Sequence, residues 1–532
     1  MNQILLFIGL VIILCLTIKP VGKKLPFPTL LIFIALGMLL GVNGPAHIDF
    51  SDYALTETVC STALLFIMFY GGFNTNIDRA KPVAVPAVLL STLGVVITAG
   101  ITGVFAHFAL GFDWIDGLLL GSVVASTDAA SVFSVLREHN LSLKGGTDSL
   151  LEVESGSNDP VAYMLTAVLA TLAAGGVNIP VLLAKQIILG VGLGLAIGWA
   201  TGRLIERAHA TAEGAQTIYL FAVAIVAYAL PSYLGGNGFL AVYLAGIVLG
   251  ASDITGKVEM AHFFDTLTEM AEMTIFFLLG LLVTPARLPQ MLLPGLALMA
   301  FMLFVSRPIA VGVLLAPFKT NPRQVALVSW AGLRGAASVV FSLFAVVAGV
   351  PGGHDLFDLV FAIAVSSIVV QGSLLPAVAK KLDMIDATGD VRRTFNDYRD
   401  EDGMSFVKLK VGAGHPFAGR SLADIGSATD MLVVLVLRDG AHPVLPNGDT
   451  VIEEGDLLVM AAPTFEERAE VTLREVTVTP HGRLAGQRLR DVPQGKHPFI
   501  VVMLKRDGQT IIPDGNTLIY AGDEAVIATL AS

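Results

Sequence analysis

The 532-residue chain is 54% hydrophobic and only 14% charged, with a mean hydropathy of +0.74. A soluble domain carries about 25% charged residues, so most of this chain belongs in lipid; its net charge of −11 argues against nucleic acid or anionic lipid as the main partner. The two cysteines, Cys15 and Cys60, fall inside apolar segments and exclude a disulfide framework or a metal cluster.

The first apolar run is 2–18. No basic stretch precedes it, no small-residue cleavage site follows it, and Lys19, Lys23 and Lys24 come after it, so it reads as a retained membrane helix rather than a signal peptide. Further runs long enough to span follow at 27–42, 54–71, 83–109, 114–136, 149–173, 180–204, 215–233, 237–250, 262–283, 291–316, 323–350 and 357–380. That makes about thirteen spans by the length criterion. Lys and Arg recur after the odd-numbered spans (Arg79/Lys81, Arg137/Lys144, Arg203/Arg207, Lys257, Lys319/Arg323, Lys380/Lys381), while the alternate loops are nearly free of them apart from Arg287. Lys and Arg mark the cytoplasmic side. The N-terminus is therefore expected outside and the tail inside, in a multi-pass protein of the cytoplasmic membrane.

Acidic side chains at bilayer depth cost roughly 2.5–3.5 kcal/mol each and mark function. The fifth span holds Ser126-Thr127-Asp128, and the sixth opens on Glu154-Ser155-Gly156-Ser157-Asn158-Asp159-Pro160. Within a helix, Ser155 and Asp159 share a face, as do Glu154 and Asn158; alternatively, Pro160 suits a helix's first turn. Asp159, Asp128, Thr127, Ser155 and Asn158 together offer the hard oxygens that an alkali cation and a proton need.

Gly121, Ser122, Ser126, Thr127 and Ser131 in span five, and Gly332, Arg334, Gly335 and Ser338 in span twelve, predict interrupted helices lining a midplane site. Their spacing suits two inverted six-helix repeats, spans one to six and eight to thirteen, joined by span seven. Arg334 needs a partner at that depth. Glu154 is expected, with Asp128 and Asp159 as alternatives, because an arginine fixed on the binding carboxylate would block the cation. Arg307, before Pro308, is expected to cap carbonyls or sit near the cytoplasmic boundary. Asp265, Glu269 and Glu272 in span ten predict a solvated face or a cytoplasmic funnel.

After Asp383 the composition changes. The domains are expected at 1–382 (membrane), 383–403 (charged linker), 404–473 and 474–532, the last two being copies of one small β-rich module. Pro446-Asn447-Gly448-Asp449-Thr450 recurs 67 residues later as Pro513-Asp514-Gly515-Asn516-Thr517, and Gly455-Asp456 as Gly522-Asp523. Arg438-Asp439-Gly440 returns as Arg506-Asp507-Gly508 with a one-residue slip.

Ser126-Thr127-Asp128, the 154–160 stretch and Gly332-Leu333-Arg334-Gly335-Ala336 resemble, in order and across the whole membrane region, the NhaP-type monovalent cation:proton antiporters. The tail copies look like RCK-C (TrkA-C) regulatory modules. Together they resemble bacterial potassium/proton antiporters of the NhaP/CvrA type. The implied fold is an all-α polytopic membrane domain with inverted repeats plus a small α+β tail. The implied protein is a homodimer with elevator-like motion in the bacterial inner membrane. Asp159 takes the essential ion- and proton-binding role, Thr127, Asp128 and Ser155 are accessory ligands, Asn158 is the neutral partner that argues for one-for-one neutral exchange, and Glu154–Arg334 is a structural pair. The chain departs from many relatives at Tyr70, which stands where an acid is common before Gly71-Gly72; a phenol offers an oxygen but no charge at neutral pH. That departure and the tail favour K⁺ over Na⁺.

No cofactor is expected, although the tail's resemblance extends to a small regulator such as cyclic di-AMP. The competing classes are a Na⁺/H⁺ antiporter, a ligand-gated cation channel and a membrane sensor. The chain has no channel-filter TVGYG and no HExxH, GxSxG or Walker sequence of a hydrolase.

Overall fold

A computed structural model of the chain describes residues 2–22, 28–41, 47–75, 77–139, 141–173, 178–207, 215–252, 254, 257–386, 404–412, 415, 417–423, 432–438, 442–444, 446–463, 471–479, 484–492, 499–506, 509–511, 513 and 515–530. The charged linker at 390–402, Lys23, Lys24, Asp514 and the Asp-Gly pairs at 439–440 and 507–508 lie outside these residues. The chain divides into two compact units, Met1–Arg399 and Asp400–Ser532.

The first unit is helical: α1 (Asn2–Gly22), α2 (Leu30–Leu40), α3 (Tyr53–Asn74), α4 (Lys81–Leu110), α5 (Trp114–Val123), α6 (Ala129–Glu138), α7 (Thr147–Ala173), α8 (Ile179–Arg207), α9 (Ala215–Tyr233), α10 (Gly238–Ala251), α11 (Lys257–Leu282), α12 (Leu288–Phe318), α13 (Pro322–Trp330), α14 (Ala336–Val347) and α15 (Gly353–Lys381). Among the described residues, α3, α4, α8, α9, α12 and α15 are long and apolar enough to cross a membrane. Helix starts follow local chemistry: Asp52, Asn237 and Asn321 each accept a backbone N–H of the first turn, from Leu55, Leu240 and Arg323. Arg287, the positive residue out of pattern, lies 3.7 Å from Asp355 and 3.8 Å from Asp358.

Spans five and twelve are interrupted as their small and hydroxyl residues predict. The helix stops after Val123 and resumes at Ala129; the later one stops after Trp330 and resumes at Ala336. Pro160 does not open a helix. It lies well inside α7, so the helix already contains the 154–160 stretch and the four-residue spacings place their pairs on shared faces. Three π-helical turns widen the long helices at Leu90–Gly94, Met302–Ser306 and Ile368–Gly372. Near the helical unit's end, β1 (Ser142–Leu143) pairs antiparallel with β2 (Ile385–Asp386), and Lys144 bonds Asp383 at 2.9 Å.

The second unit holds two four-stranded antiparallel sheets of identical order. The first runs β3-β6-β4-β5, with β3 (Met404–Lys410), β4 (Leu432–Arg438), β5 (His442–Val444) and β6 (Leu457–Pro463). The second runs β7-β10-β8-β9, with β7 (Val471–Thr477), β8 (Phe499–Arg506), β9 (Gln509–Ile511) and β10 (Glu524–Leu530). Its first strand begins at Val471, ahead of the expected start at 474. The two small cores also correspond: Val411, Val436, Ile452 and Leu458 in one, and Val478, Leu504, Ile519 and Ala525 in the other. Gly455 and Gly522 both turn the chain at positive φ, 98° and 95°, a conformation that favours glycine.

Candidate ion and proton site

The two interruptions cross each other. The Asp128 N–H, at the end of the first, donates to the Leu333 carbonyl of the second at 2.9 Å. The approach is too close for a side chain on one partner: a Cβ on Gly335 would stand 1.9 Å from Asp128 Oδ2. α7 lies alongside and supplies the 154–160 stretch.

Asp159 is 5% exposed and accepts a hydrogen bond from the Ser126 hydroxyl. Ser155 donates to the Thr127 carbonyl at 2.7 Å. Asn158, fully buried, accepts from the Thr127 N–H at 3.4 Å, donates to the Thr127 hydroxyl and donates to Glu154 Oε1 at 3.4 Å. The structure thus brings Ser126, Thr127, Glu154, Ser155, Asn158 and Asp159 into one buried cluster. Asn158 organises it, because its amide both donates and accepts and so fixes the interrupted segment at Thr127 without adding charge.

Asp128 is placed differently. Its carboxylate accepts the Ser131 N–H at 3.1 Å and the Ser131 hydroxyl, and so caps the first turn of α6. The Tyr70 hydroxyl donates to Asp265 Oδ1 at 3.3 Å, joining α3 to α11.

The arginines correct the expected pairing. Glu154 is held by Arg307, whose Nη2 lies 2.9 Å from Oε1 and 2.8 Å from Oε2, with both side chains almost wholly buried. Arg334 instead donates through Nη1 to the Ala125 and Ser126 carbonyls, at 2.8 Å each. The physical reason is the first interruption. It leaves the Ala125 and Ser126 carbonyls, just past the C-terminal end of α5, without helical partners, and a guanidinium satisfies them and the negative end of the helix dipole. Arg307 follows the π-turn of α12, where Ser306 donates to the Thr98 carbonyl at 3.1 Å and so fixes α12 on α4. Arg307 is therefore neither a carbonyl cap nor a boundary residue.

Several contributors were not singled out as site residues. Ser126 was visible beside Thr127, but nothing in the sequence separated their roles. Ser367 accepts the Arg334 N–H at 2.9 Å and donates to Gln371, which in turn clasps Trp330 through two hydrogen bonds of 3.2 and 3.0 Å. This chain of contacts anchors the second interruption on α15. Arg307 Nε has no hydrogen-bond partner among the described residues. It borders a cavity of about 10 Å³ lined also by Ser329, Gly332, Arg334 and Gln371, about the room one water molecule occupies.

A family profile described as "Sodium/hydrogen exchanger, transmembrane" matches residues 9–381, and the TrkA-C domain matches residues 406–464 and 473–532. The chain is similar to the K(+)/H(+) antiporter NhaP2 of Shewanella sp. (strain MR-4), with 35% identity over 470 residues, 86% of this chain and 80% of that one. It is likewise similar to the K(+)/H(+) antiporter NhaP of Alkalimonas amylolytica, 33% identical over 467 residues, 85% of this chain and 81% of the relative. The sodium proton antiporter MjNhaP1 from Methanocaldococcus jannaschii, solved at pH 8, shares the fold with a TM-score of 0.61 and 21% identity, over 70% of this chain and 99% of that one. The crossed interruptions and buried carboxylate thus lie inside a region matched from end to end, and the chain belongs to the sodium/hydrogen exchanger family, carrying two TrkA-C domains.

Proposed function

We propose that this chain exchanges K⁺ for H⁺ across the cytoplasmic membrane of a bacterium, with Asp159 as the exchanging carboxylate. The observation that carries the reading is the environment of Asp159. It is buried where the interruptions cross, bonded to a neutral hydroxyl, while both nearby arginines are engaged elsewhere. A bare carboxylate there is costly, so a proton or a cation must neutralise it, and each excludes the other. Ser126 bonds Asp159, and Thr127 and Ser155 belong to the same hydrogen-bonded cluster, so their oxygens are the candidates to complete a cation's shell, with Asp128 as a second carboxylate.

Charge counting supports neutral exchange. Arg307 offsets Glu154, and counting Arg334 against Asp128 leaves Asp159 as the unbalanced member of these five groups. Loaded with either H⁺ or a monovalent cation, the centre is neutral, and both loaded forms can cross while the empty one is held back. One cation then moves per proton. The choice of K⁺ rests on relatives named K(+)/H(+) antiporters. Na⁺ is the second reading, favoured by the more distant Na(+)/H(+) antiporter ApNhaP of Aphanothece halophytica at 25% identity.

The same proposal includes about thirteen membrane passes in two inverted repeats, the N-terminus outside, an elevator-type movement of the site helices in a homodimer, and regulation through the TrkA-C modules by a small ligand of the cyclic dinucleotide class. The crossed interruptions support the repeats, and the alternating Lys/Arg loops support the orientation.

The test is proton movement in proteoliposomes driven by K⁺, Na⁺, Rb⁺ or Li⁺ gradients. K⁺ should drive exchange at a rate independent of an imposed membrane potential, and Asp159→Asn should abolish it. Robust exchange by that variant removes Asp159 from its role. A strong potential dependence removes neutrality, and Na⁺ preference moves the chain to the second reading. Loss of residues 404–532 with unchanged pH and ligand response would remove the regulatory part.

A further inference from the structure

The chain does not leave the membrane unit straight for its tail. Past Lys381, the end of α15, it turns at Asp383, whose φ of 54° is left-handed, and runs back along the loop that joins α6 to α7. In the β1–β2 pair Leu143 stands opposite Ile385, and Ser142 opposite Asp386. The Lys144 N–H donates to the Met384 carbonyl at 2.8 Å, and the Met384 N–H to the Ala379 carbonyl of α15 at 3.0 Å. Leu143 and Met384 are 3% and 4% exposed and share one apolar core with Phe133 and Leu136 of α6 and Leu150 and Leu151 of α7.

Asp383 is gripped from the approaches to both interruptions. Lys144 Nζ lies 2.9 Å from Oδ1, and Arg323 Nη1, at the start of α13, lies 3.3 Å from Oδ2. Gln324, also on α13, donates to the Gly145 carbonyl at 3.2 Å. α13 ends at the second interruption. On the other side, the hydroxyl of Thr147, the first residue of α7, donates to the Lys144 carbonyl at 2.6 Å, and Asp159 follows about three turns on. The strap at 383–386 is thus fastened to the segments that lead into the ion site. Neither family match covers it, since one ends at 381 and the other begins at 406.

Charge alone does not fasten it. Lys144, Arg323 and Asp383 are 45%, 58% and 70% exposed, and ion pairs that exposed contribute little. Backbone pairing and two buried apolar side chains dock the strap, and the charges fix its place. Met404, which opens the tail's first sheet, comes 18 residues after Asp386. A change in the tail that draws on this chain reaches β2 first, and then either the α6–α7 loop follows or the two strands part.

We propose that the strap at 383–386 couples the TrkA-C modules to the ion site: docked on β1, it carries a displacement of the chain leading to the tail into the α6–α7 loop and so into α7. The proposal rests on the regulatory part of the antiport reading and states where that regulation enters. Coupling between sites is reciprocal, so cation occupancy of the ion site biases the tail through the same strands.

The test uses the full-length protein in lipid nanodiscs, with amide exchange read at Val411 and Val478 of the tail in KCl and in choline chloride of equal ionic strength. Saturating K⁺ should change those exchange rates about fivefold or more, the lower end of ordinary coupling between sites. Asp383→Lys, which sets a third cation beside Lys144 and Arg323, should remove most of that change. Met384→Ser, which takes the buried anchor from the strap, should do the same. Asp383→Lys combined with Lys144→Asp restores the pair in reverse and should recover the response. K⁺-driven proton exchange in proteoliposomes should persist in all three variants, because none touches the ion site. If Met384→Ser loses exchange and thermal stability together it has failed to fold, and the two charge variants decide. An undiminished K⁺ response in Asp383→Lys overturns the strap, as does a charge swap that recovers nothing. A wild-type tail that ignores K⁺ while exchange proceeds counts instead against regulation through the tail, and absence of exchange counts against the antiport reading.

Discussion

Arginine–carboxylate pairs hold both units of this molecule together, but in opposite dielectric settings. In the tail, Arg438 grips Asp456 with two bonds of 3.0 Å, and Arg506 grips Asp523 at 2.8 and 2.6 Å, while each arginine stays more than a quarter exposed. In the membrane unit, Arg307 and Glu154 are 2% and 1% exposed. A tail arginine that loses its partner returns to water. A membrane arginine or glutamate left alone has no water to return to. The tail pairs pin turns, whereas the membrane pair ties α12 to α7 beside the crossed interruptions.

The largest consequence concerns Arg307. Arg307→Met leaves Glu154 buried and uncompensated, a loss of about 3–5 kcal/mol that should appear as a steep drop in the thermal unfolding temperature in detergent. Glu154→Leu should cost a similar amount, and the double variant should recover most of the loss. If Glu154→Leu is rescued by Arg334→Met instead, the pairing seen here is wrong.

That pairing also marks the limit of what the residues alone could say. The interruptions were legible because glycine and hydroxyl residues cluster at 121–131 and 332–338, and the cluster around Asp159 because polarity in an apolar helix is expensive. The partner of Glu154 was not legible. Two arginines lie at bilayer depth, and only the crossing of the interruptions shows that the broken end of α5 claims Arg334 and frees Arg307 for Glu154. Asp128 stands beside Thr127 in the sequence as a candidate ligand, and only the fold shows its carboxylate engaged by Ser131 as a helix cap. The tail was easier because duplication repeats each partner 67 or 68 residues on, so Asp456 and Asp523 stood out as a matched pair.

Arg334 separates helix-end compensation from ion pairing. Arg334→Gln removes a charged donor from the Ala125 and Ser126 carbonyls and should cost about 1.5–3 kcal/mol, less than Arg307→Met because no buried carboxylate is orphaned. An equal or larger loss would mean that Arg334 holds a carboxylate after all. Gly335→Ala drives a methyl into the Asp128 carboxylate and should cost about 1–3 kcal/mol by overpacking. Wild-type stability in that variant would show that the interruptions do not cross this closely.

The smallest effects are expected in the tail. Hydrogen bonds from Arg438 and Arg506, joined by the backbone N–H groups of Glu453 and Tyr520, hold the Asp456 and Asp523 carboxyls below the usual carboxylate range. Because the folded value is depressed, this stabilisation is fully present above an unfolded value of about 3.9 and is lost as pH falls through the folded one. Asp456→Asn and Asp523→Asn should each cost about 1–2 kcal/mol at neutral pH and almost nothing in strong acid. Amide exchange at Val411 and Val478 in the full chain reads this directly, since those N–H groups donate to the Asp456 and Asp523 carbonyls at 2.8 Å. The copies should then part under salt. Arg438 also pairs with Glu453, which is 59% exposed, whereas in the second copy Tyr520 occupies that place and its ring lies 4.3 Å from the Arg506 guanidinium. An exposed ion pair contributes at most about 1 kcal/mol and is screened, so 1 M salt should loosen the first module by a few tenths of a kcal/mol and leave the second nearly unchanged. Equal salt sensitivity would mean that Glu453 contributes nothing to the grip on Arg438.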